Sequence, residues 1–296
     1  MFNLLKNLDE NSETLYEARK DGRGLSLSKE ILKFMIVLLV VILVLASVQL
    51  SLHSIFNPSN VNTSTLLILF STVTIILFSL VCILKFEKRN IRSIGFTKNG
   101  IISSCLRGFL LGFVMFITVV IIGMLLGEYE LALVDMSSIY WALPFLIGFF
   151  IQSFEEELFS RGWMLVSISR KNSVLPAIIL NTVVFLILHL GNKGLDIIAV
   201  INILLFSVLL SIIFLKVDNI WFCGSLHASW NFTEGYLTGF IFSGQKNISS
   251  LLQFKQANLS LIGGKAFGPE SGLISTLVFM VMIIIVLYYD VKFIKK

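Results

Sequence analysis

The sequence predicts an all-α fold, a polytopic transmembrane bundle of about eight spans around an intramembrane polar cavity. Three observations predict it. Of 296 residues, 56% are hydrophobic and 26 are Phe, while only 14% are charged, against roughly 25% in soluble domains. Eight apolar stretches approach the ~20 residues that a membrane span requires. Polar side chains recur at helical spacing inside three of those stretches.

Residues 1–30 are polar and mixed in charge (Asp9, Glu10, Glu13, Glu17, Arg19, Lys20, Asp21, Arg23). A signal peptide would need a short basic start and an early apolar core. The segment therefore reads as a cytosolic tail, and 31–296 as one transmembrane domain. Predicted spans are 34–56, 65–84, 104–126, 139–160, 174–190, 197–215, 220–242 and 272–289, the fifth being short.

Loop charge sets the orientation. The second-to-third connection carries Lys85, Lys88, Arg89, Arg92 and Lys98; the fourth-to-fifth carries Arg170 and Lys171. The C-terminus carries Lys292, Lys295 and Lys296. Residues 57–64 carry no charge, and 127–138 carry only the acids Glu128, Glu130 and Asp135. Both termini are thus expected in the cytoplasm. Loop 243–271, with Lys246, Lys255 and Lys265, fits least well, but long translocated loops obey the rule poorly.

The same basic loops account for the net charge of +5. No basic patch with base-stacking aromatics is present, so nucleic acid is not an expected partner. Cys82, Cys105 and Cys223 lie in or beside apolar stretches without Cys-x-x-Cys spacing and read as packing residues. The stretch Gly263 to Gly268 lacks the spacing of a phosphate-binding loop.

The informative residues are the polar ones inside spans, where an ionised group costs several kcal/mol and is rare unless paired or functional. The fourth span ends in Glu155, Glu156 and Glu157, followed by Arg161. The fifth carries Asn181, Phe185 and His189; the seventh carries His227, Asn231 and Glu234. Residues four apart share a helix face, so Glu157 and Arg161 are set to pair. Glu156 is rotated about 100° away and lacks that partner. Singly, each group has an equally good reading as helix–helix glue. A carboxylate, two histidines and an amide on three helices are harder to explain by packing alone.

These residues form three motifs: Glu156-Glu157-x-x-x-Arg161, Phe185-x-x-x-His189 and His227-x-x-x-Asn231. Together, in this order on apolar segments, they resemble the CAAX protease and bacteriocin-processing (CPBP, or Abi) family of intramembrane proteases, over about residues 140–235. No motif residue departs from the pattern. The resemblance implies a peptidase in which Glu156, assisted by His189, activates water. His227 and Asn231 would donate to the tetrahedral oxyanion, and Glu157 with Arg161 would position the assembly.

Glu156, His189 and His227 also provide a three-ligand set of the kind that holds catalytic zinc, and serve equally in a metal-free glutamate mechanism. No His-Glu-x-x-His helix is present. Taken at face value, the spans place Glu156 about 8 Å from the cytoplasmic face and His189 about 22 Å from it. The fourth and fifth helices are therefore expected to extend into the cytosol, with a water-filled cavity open to that side.

The expected partners are the bilayer and a membrane-associated peptide or protein substrate. A composition rich in Lys, Ile and Phe suggests a low-GC bacterium and its cell membrane, which favours peptide processing or bacteriocin immunity over prenyl-protein cleavage. Intramembrane Glu and His also mark proton-coupled transporters, though no inverted repeat is evident. A non-catalytic membrane scaffold is the third reading.

Overall fold

The computed structural model describes residues 2–20, 22–97, 100–245 and 248–289. Lys98, Lys246, Lys292, Lys295 and Lys296, on which part of the expected orientation rests, lie outside the described residues. Among the described residues, twelve α-helices and two strands follow in chain order. The tail forms α1 (Phe2–Asn11) and α2 (Glu13–Arg19). Eight further helical segments follow: α3 (Leu27–Phe56), α4 with α5 (Val61–Ser71, Val73–Val81), α6 (Ile101–Leu125), α7 with α8 (Ala142–Glu157, Val166–Ser169), α9 (Val174–His189), α10 (Ile197–Val217), α11 (Ile220–Phe232) and α12 (Leu273–Tyr288). They overlap the eight predicted stretches, with bounds that differ most in the fourth and the seventh.

Five of these helical segments are long and apolar enough to cross a membrane: Leu27–Phe56, Val61–Phe86, Ile101–Leu125, Met136–Ser169 and Ile197–Val217. Helices α9 and α12 are apolar but shorter. Side-chain caps set several starts by accepting orphan backbone N–H groups. Asn60 accepts from Thr63, Asp196 from Ala199, and Asn219 from Trp221 and Phe222. Helix α10 stops where Asp218 turns left-handed, at φ 54°.

The passes alternate between two ends. At one end, Ser12 Oγ donates to Asp218 Oδ1 at 2.5 Å, Arg170 Nε donates to the Ala18 carbonyl at 3.0 Å, and Lys216 Nζ donates to the Leu287 carbonyl at 3.1 Å. The N-terminal tail forms a helical pair packed on that end. At the opposite end, β1 (Tyr129–Val134) pairs antiparallel with β2 (Leu252–Gln256). There Asn62 Nδ2 donates to Ser249 Oγ at 2.8 Å. The ribbon departs from the all-α expectation. It joins two loops that must satisfy their own backbone groups once the helices end.

The fourth pass differs most from its predicted 139–160. Beyond Glu157 the chain widens into a π-helix over Leu158–Leu165 and runs on to Ser169. Glu156 therefore sits roughly 20 Å from this pass's tail end, level with His189 on α9, at about 1.5 Å per residue. The depth mismatch disappears.

Arg89, read from sequence as one of a run of loop charges, is buried against this widened segment. It donates to the carbonyls of Gly162 (2.7 Å), Trp163 (3.3 Å) and Ser93 (2.6 Å), and to Ser167 Oγ (2.9 Å). Glu87 completes the knot. It accepts from Lys33 Nζ at 2.8 Å, Trp163 Nε1 at 2.7 Å and Ser167 Oγ at 2.7 Å.

Burial pushes the Glu87 carboxyl up, but the charges of Arg89 and Lys33 outweigh it and hold the group below its ordinary 4.5. A carboxylate depressed in this way stabilises the fold above its unfolded value, and that contribution is lost as pH falls through the folded value. Glu87→Gln is expected to lower stability at pH 7 by about 1–3 kcal/mol and to flatten the stability loss below pH ~4.5. Unfolding midpoints measured across pH in detergent check both.

Helix α11 is held closest to α6. A Cβ on Gly108 would lie 2.3 Å from the Phe222 carbonyl oxygen, and one on Gly112 would lie 2.2 Å from that of Leu226. This small-xxx-small spacing lets the two backbones touch. It fixes the rotation of α11, and hence the direction in which His227 and Asn231 point.

Candidate active site

Glu157 is fully buried, and so is Arg161 one turn along the widened helix. Arg161 Nη1 donates to Glu157 Oε1 at 2.9 Å, and Nη2 donates to the Ser207 carbonyl (2.9 Å) and Oγ (3.0 Å) on α10. The same Glu157 Oε1 lies 3.0 Å from His227 Nδ1 of α11. The expected ion pair is present and carries a histidine as well. Because the acceptor is a carboxylate, Nδ1 is the protonated nitrogen and Nε2 of the neutral ring keeps its lone pair.

That lone pair faces Glu156. His227 Nε2 stands 3.8 Å from Glu156 Oε2, too far for a direct hydrogen bond. Glu156 Oε1 accepts from Gln152 Nε2 one turn earlier. Its Oε2 is buried without a hydrogen-bond partner in the protein. Of the three glutamates, Glu155 and Glu157 are buried while Glu156 is half-buried. It is the most accessible of the three.

Asn231 Nδ2 donates to Gln152 Oε1 at 3.2 Å and to Ser153 Oγ at 3.3 Å. The amide is thus tied to the turn of α7 that carries Glu156. His189, at the last turn of α9, donates Nδ1–H to the Phe185 carbonyl at 2.8 Å, leaving Nε2 free. Phe185 has a physical role of its own. Its ring lies under the Arg161 guanidinium at 4.8 Å and against the rings of His189 (4.7 Å) and His227 (6.2 Å).

His189 and His227 line one cavity of about 20 Å³, together with Phe185, Asn202, Ser243 and Glu270. That volume admits one water molecule. Ser243 and Glu270 belong to the chain between α11 and α12, on the ribbon side. This small cavity lies toward the ribbon end of the helices.

Asn181 lies apart from the cluster and donates to Ser211 Oγ at 3.0 Å, joining α9 to α10. Glu234 is fully buried within another π-helical turn, Thr233–Leu237, and does not line the cavity. Sequence reasoning missed Gln152 and Ser153, although both lie within one turn of Glu156.

Zinc requires converging ligands. Among the described residues no three His, Cys, Asp or Glu side chains gather as a ligand set.

Residues 138–233 match a family model described as type II CAAX prenyl endopeptidase Rce1-like. The matched span begins just before α7 and ends two residues after Asn231, so it contains all three motifs. No curated protein and no solved structure matches the chain.

Proposed function

We propose, from the match of residues 138–233 to a type II CAAX prenyl endopeptidase Rce1-like family model in a chain with several helices able to cross a membrane, an intramembrane endopeptidase that cleaves a membrane-associated peptide or protein. The observation that carries this reading is the partnerless Glu156 Oε2 facing His227 Nε2 across 3.8 Å. A water bound to both atoms is polarised from two sides. As it adds to the peptide carbonyl carbon, Glu156 takes its proton, and the carbonyl electron pair becomes the oxyanion. Collapse of that intermediate breaks the C–N bond, and the proton held by Glu156 passes to the leaving amine.

In this scheme His227, rather than His189, works with Glu156, because Glu157 holds the His227 ring in the required tautomer. Asn231, whose two Nδ2 hydrogens are held by Gln152 Oε1 and Ser153 Oγ, exchanges one of these long bonds for the oxyanion, a kind of stabilisation worth about 3–4 kcal/mol per donor. His189 contributes its free Nε2 from the opposite wall. Eight passes with both termini cytoplasmic, a bacterial cell membrane, and a role in leader-peptide or bacteriocin-related processing complete the reading.

The purified protein in lipid nanodiscs tests it. The probes are a fluorogenic farnesylated peptide ending in Cys-a-a-X and a set of unmodified apolar leader-type peptides. Cleavage of the unmodified set is expected. Cleavage confined to the farnesylated probe would overturn the substrate choice, and cleavage of neither would overturn the protease reading.

A further inference from the structure

We propose that Glu270 is an additional positioning residue of this site, holding one water in the cavity against His189 Nε2, beside the ring of His227. The proposal rests on the protease reading above and adds a residue that lies outside both the three motifs and the matched segment 138–233.

Glu270 is delivered by a tight turn built for that purpose. Pro269–Ser271 forms a single 3₁₀ turn ahead of α12. Asn202 of α10 straps it, donating to the carbonyls of Glu270 at 2.8 Å and Gly272 at 3.0 Å, and its own Oδ1 accepts from Thr276 Oγ1 at 2.7 Å. The entry to the turn tolerates only glycine. Gly268 has φ +90°, and a Cβ there would stand 1.9 Å from the Ile241 carbonyl oxygen.

The carboxylate is itself held in one orientation. Oε1 accepts from Trp230 Nε1 at 3.0 Å, and Oε2 accepts from the Ser243 N–H at 3.0 Å and its hydroxyl at 2.8 Å. Trp230 lies one turn from His227 on α11, so Glu270 is coupled directly to the helix that carries the histidine. Oε1 takes one protein donor and retains capacity for a second. The cavity it lines has room for one water and is lined by both imidazoles as well.

A turn could be anchored to Ser243 and Trp230 by a neutral amide, without the cost of enclosing a charge. A water has two protons to donate: in this cavity one meets the His189 Nε2 lone pair and the other meets Glu270 Oε1, which fixes its orientation, while the His227 Nε2 lone pair stays with the water shared with Glu156. The charged and titratable groups around the pair of rings are Glu156, Glu157 and Arg161 on the fourth pass, Glu270 before α12, and the buried Glu234 beyond Asn231.

Glu270→Gln in the full-length reconstituted protein tests the proposal against the peptide set above, with Ser243→Ala as the milder second variant. The expected result is a fall in kcat of about 10- to 100-fold with KM within about twofold, and an altered pH–rate profile. Ser243→Ala is expected to lose about a third of that effect on a logarithmic scale.

A readout independent of activity accompanies it. The chain has three histidines, so ring-¹⁵N labelling gives one residue outside the site, His53, as an internal control. Glu270→Gln is expected to move the His189 and His227 ring resonances and leave those of His53 in place. Unchanged kcat and unchanged ring resonances would overturn the proposal and leave Glu270 as a turn anchor. If the parent itself cleaves nothing, the protease reading falls first. Unmoved resonances would then overturn the placement of Glu270 at the cavity as well.

Discussion

His227→Ala is expected to lower kcat/KM by about 10²- to 10⁴-fold, the range over which a positioned proton-transfer partner contributes. The loss should fall on kcat. The ring meets Glu156 and Glu157, groups that act on the water, and it makes none of the contacts that would hold a distant part of a substrate. The variant also removes one hydrogen bond from the buried Glu157, but Arg161 remains paired with that carboxylate at 2.9 Å. The fold should survive, with a stability loss of about 1–3 kcal/mol. Steady-state kinetics and an unfolding curve on the same preparation separate the two effects. Activity within threefold of the parent would remove His227 from the water-activating position.

Arg161→Met is expected to act on folding before chemistry. It leaves the fully buried Glu157 without its cation, and breaking a buried pair from one side costs about 3–5 kcal/mol. It also strips the guanidinium from the Ser207 carbonyl and from the face of the Phe185 ring. The double variant Glu157→Gln/Arg161→Met should recover much of that stability, since no uncompensated charge then stays behind. It should remain inactive, because His227 has lost the carboxylate that sets its tautomer. Thermal unfolding in detergent distinguishes the two variants. A parent-like midpoint for Arg161→Met would contradict the pair's structural weight.

The helical passes were legible in the sequence because apolar runs of span length have few alternatives. All eight stretches are helical. The far end of the fourth was not legible: Glu155, Glu156, Glu157 and Arg161 lower its mean hydropathy to 1.3, against 2.7 to 3.1 for the other long spans. Its helix nevertheless continues to Ser169, because Arg89 and Glu87 satisfy the widened turn from a neighbouring loop. That contact joins residues some 75 positions apart, which no local pattern reveals.

The ribbon did leave a signal. Leu252 and Phe254 alternate with Gln253 and Lys255, the period-2 pattern of strands, whereas Leu131 to Val134 is a continuous apolar run. Gly108 and Gly112 likewise announced a close helix crossing at four-residue spacing.

At the site, spacing within one helix yielded the Glu157–Arg161 pair and the shared faces of Phe185 with His189 and of His227 with Asn231. The junctions between helices are a different matter. That His227 turns Nδ1 to Glu157 and Nε2 toward Glu156 depends on the rotation of α11 against α7, which the α6 glycines and the stacking of Phe154 on Trp221 help to fix. Glu270 was hidden for a related reason. It stands in irregular chain far from any motif, and only the fold carries it to the cavity.

The account's central claim is that Glu156 activates the water that hydrolyses a peptide bond. The most direct measurement compares the parent and Glu156→Gln, reconstituted in the same lipid at the same concentration, by mass spectrometry of products from the peptide set. The account predicts defined cleavage products from the parent and at least a hundredfold slower appearance from the variant, with matching unfolding midpoints. Equal product formation by the two proteins would contradict it.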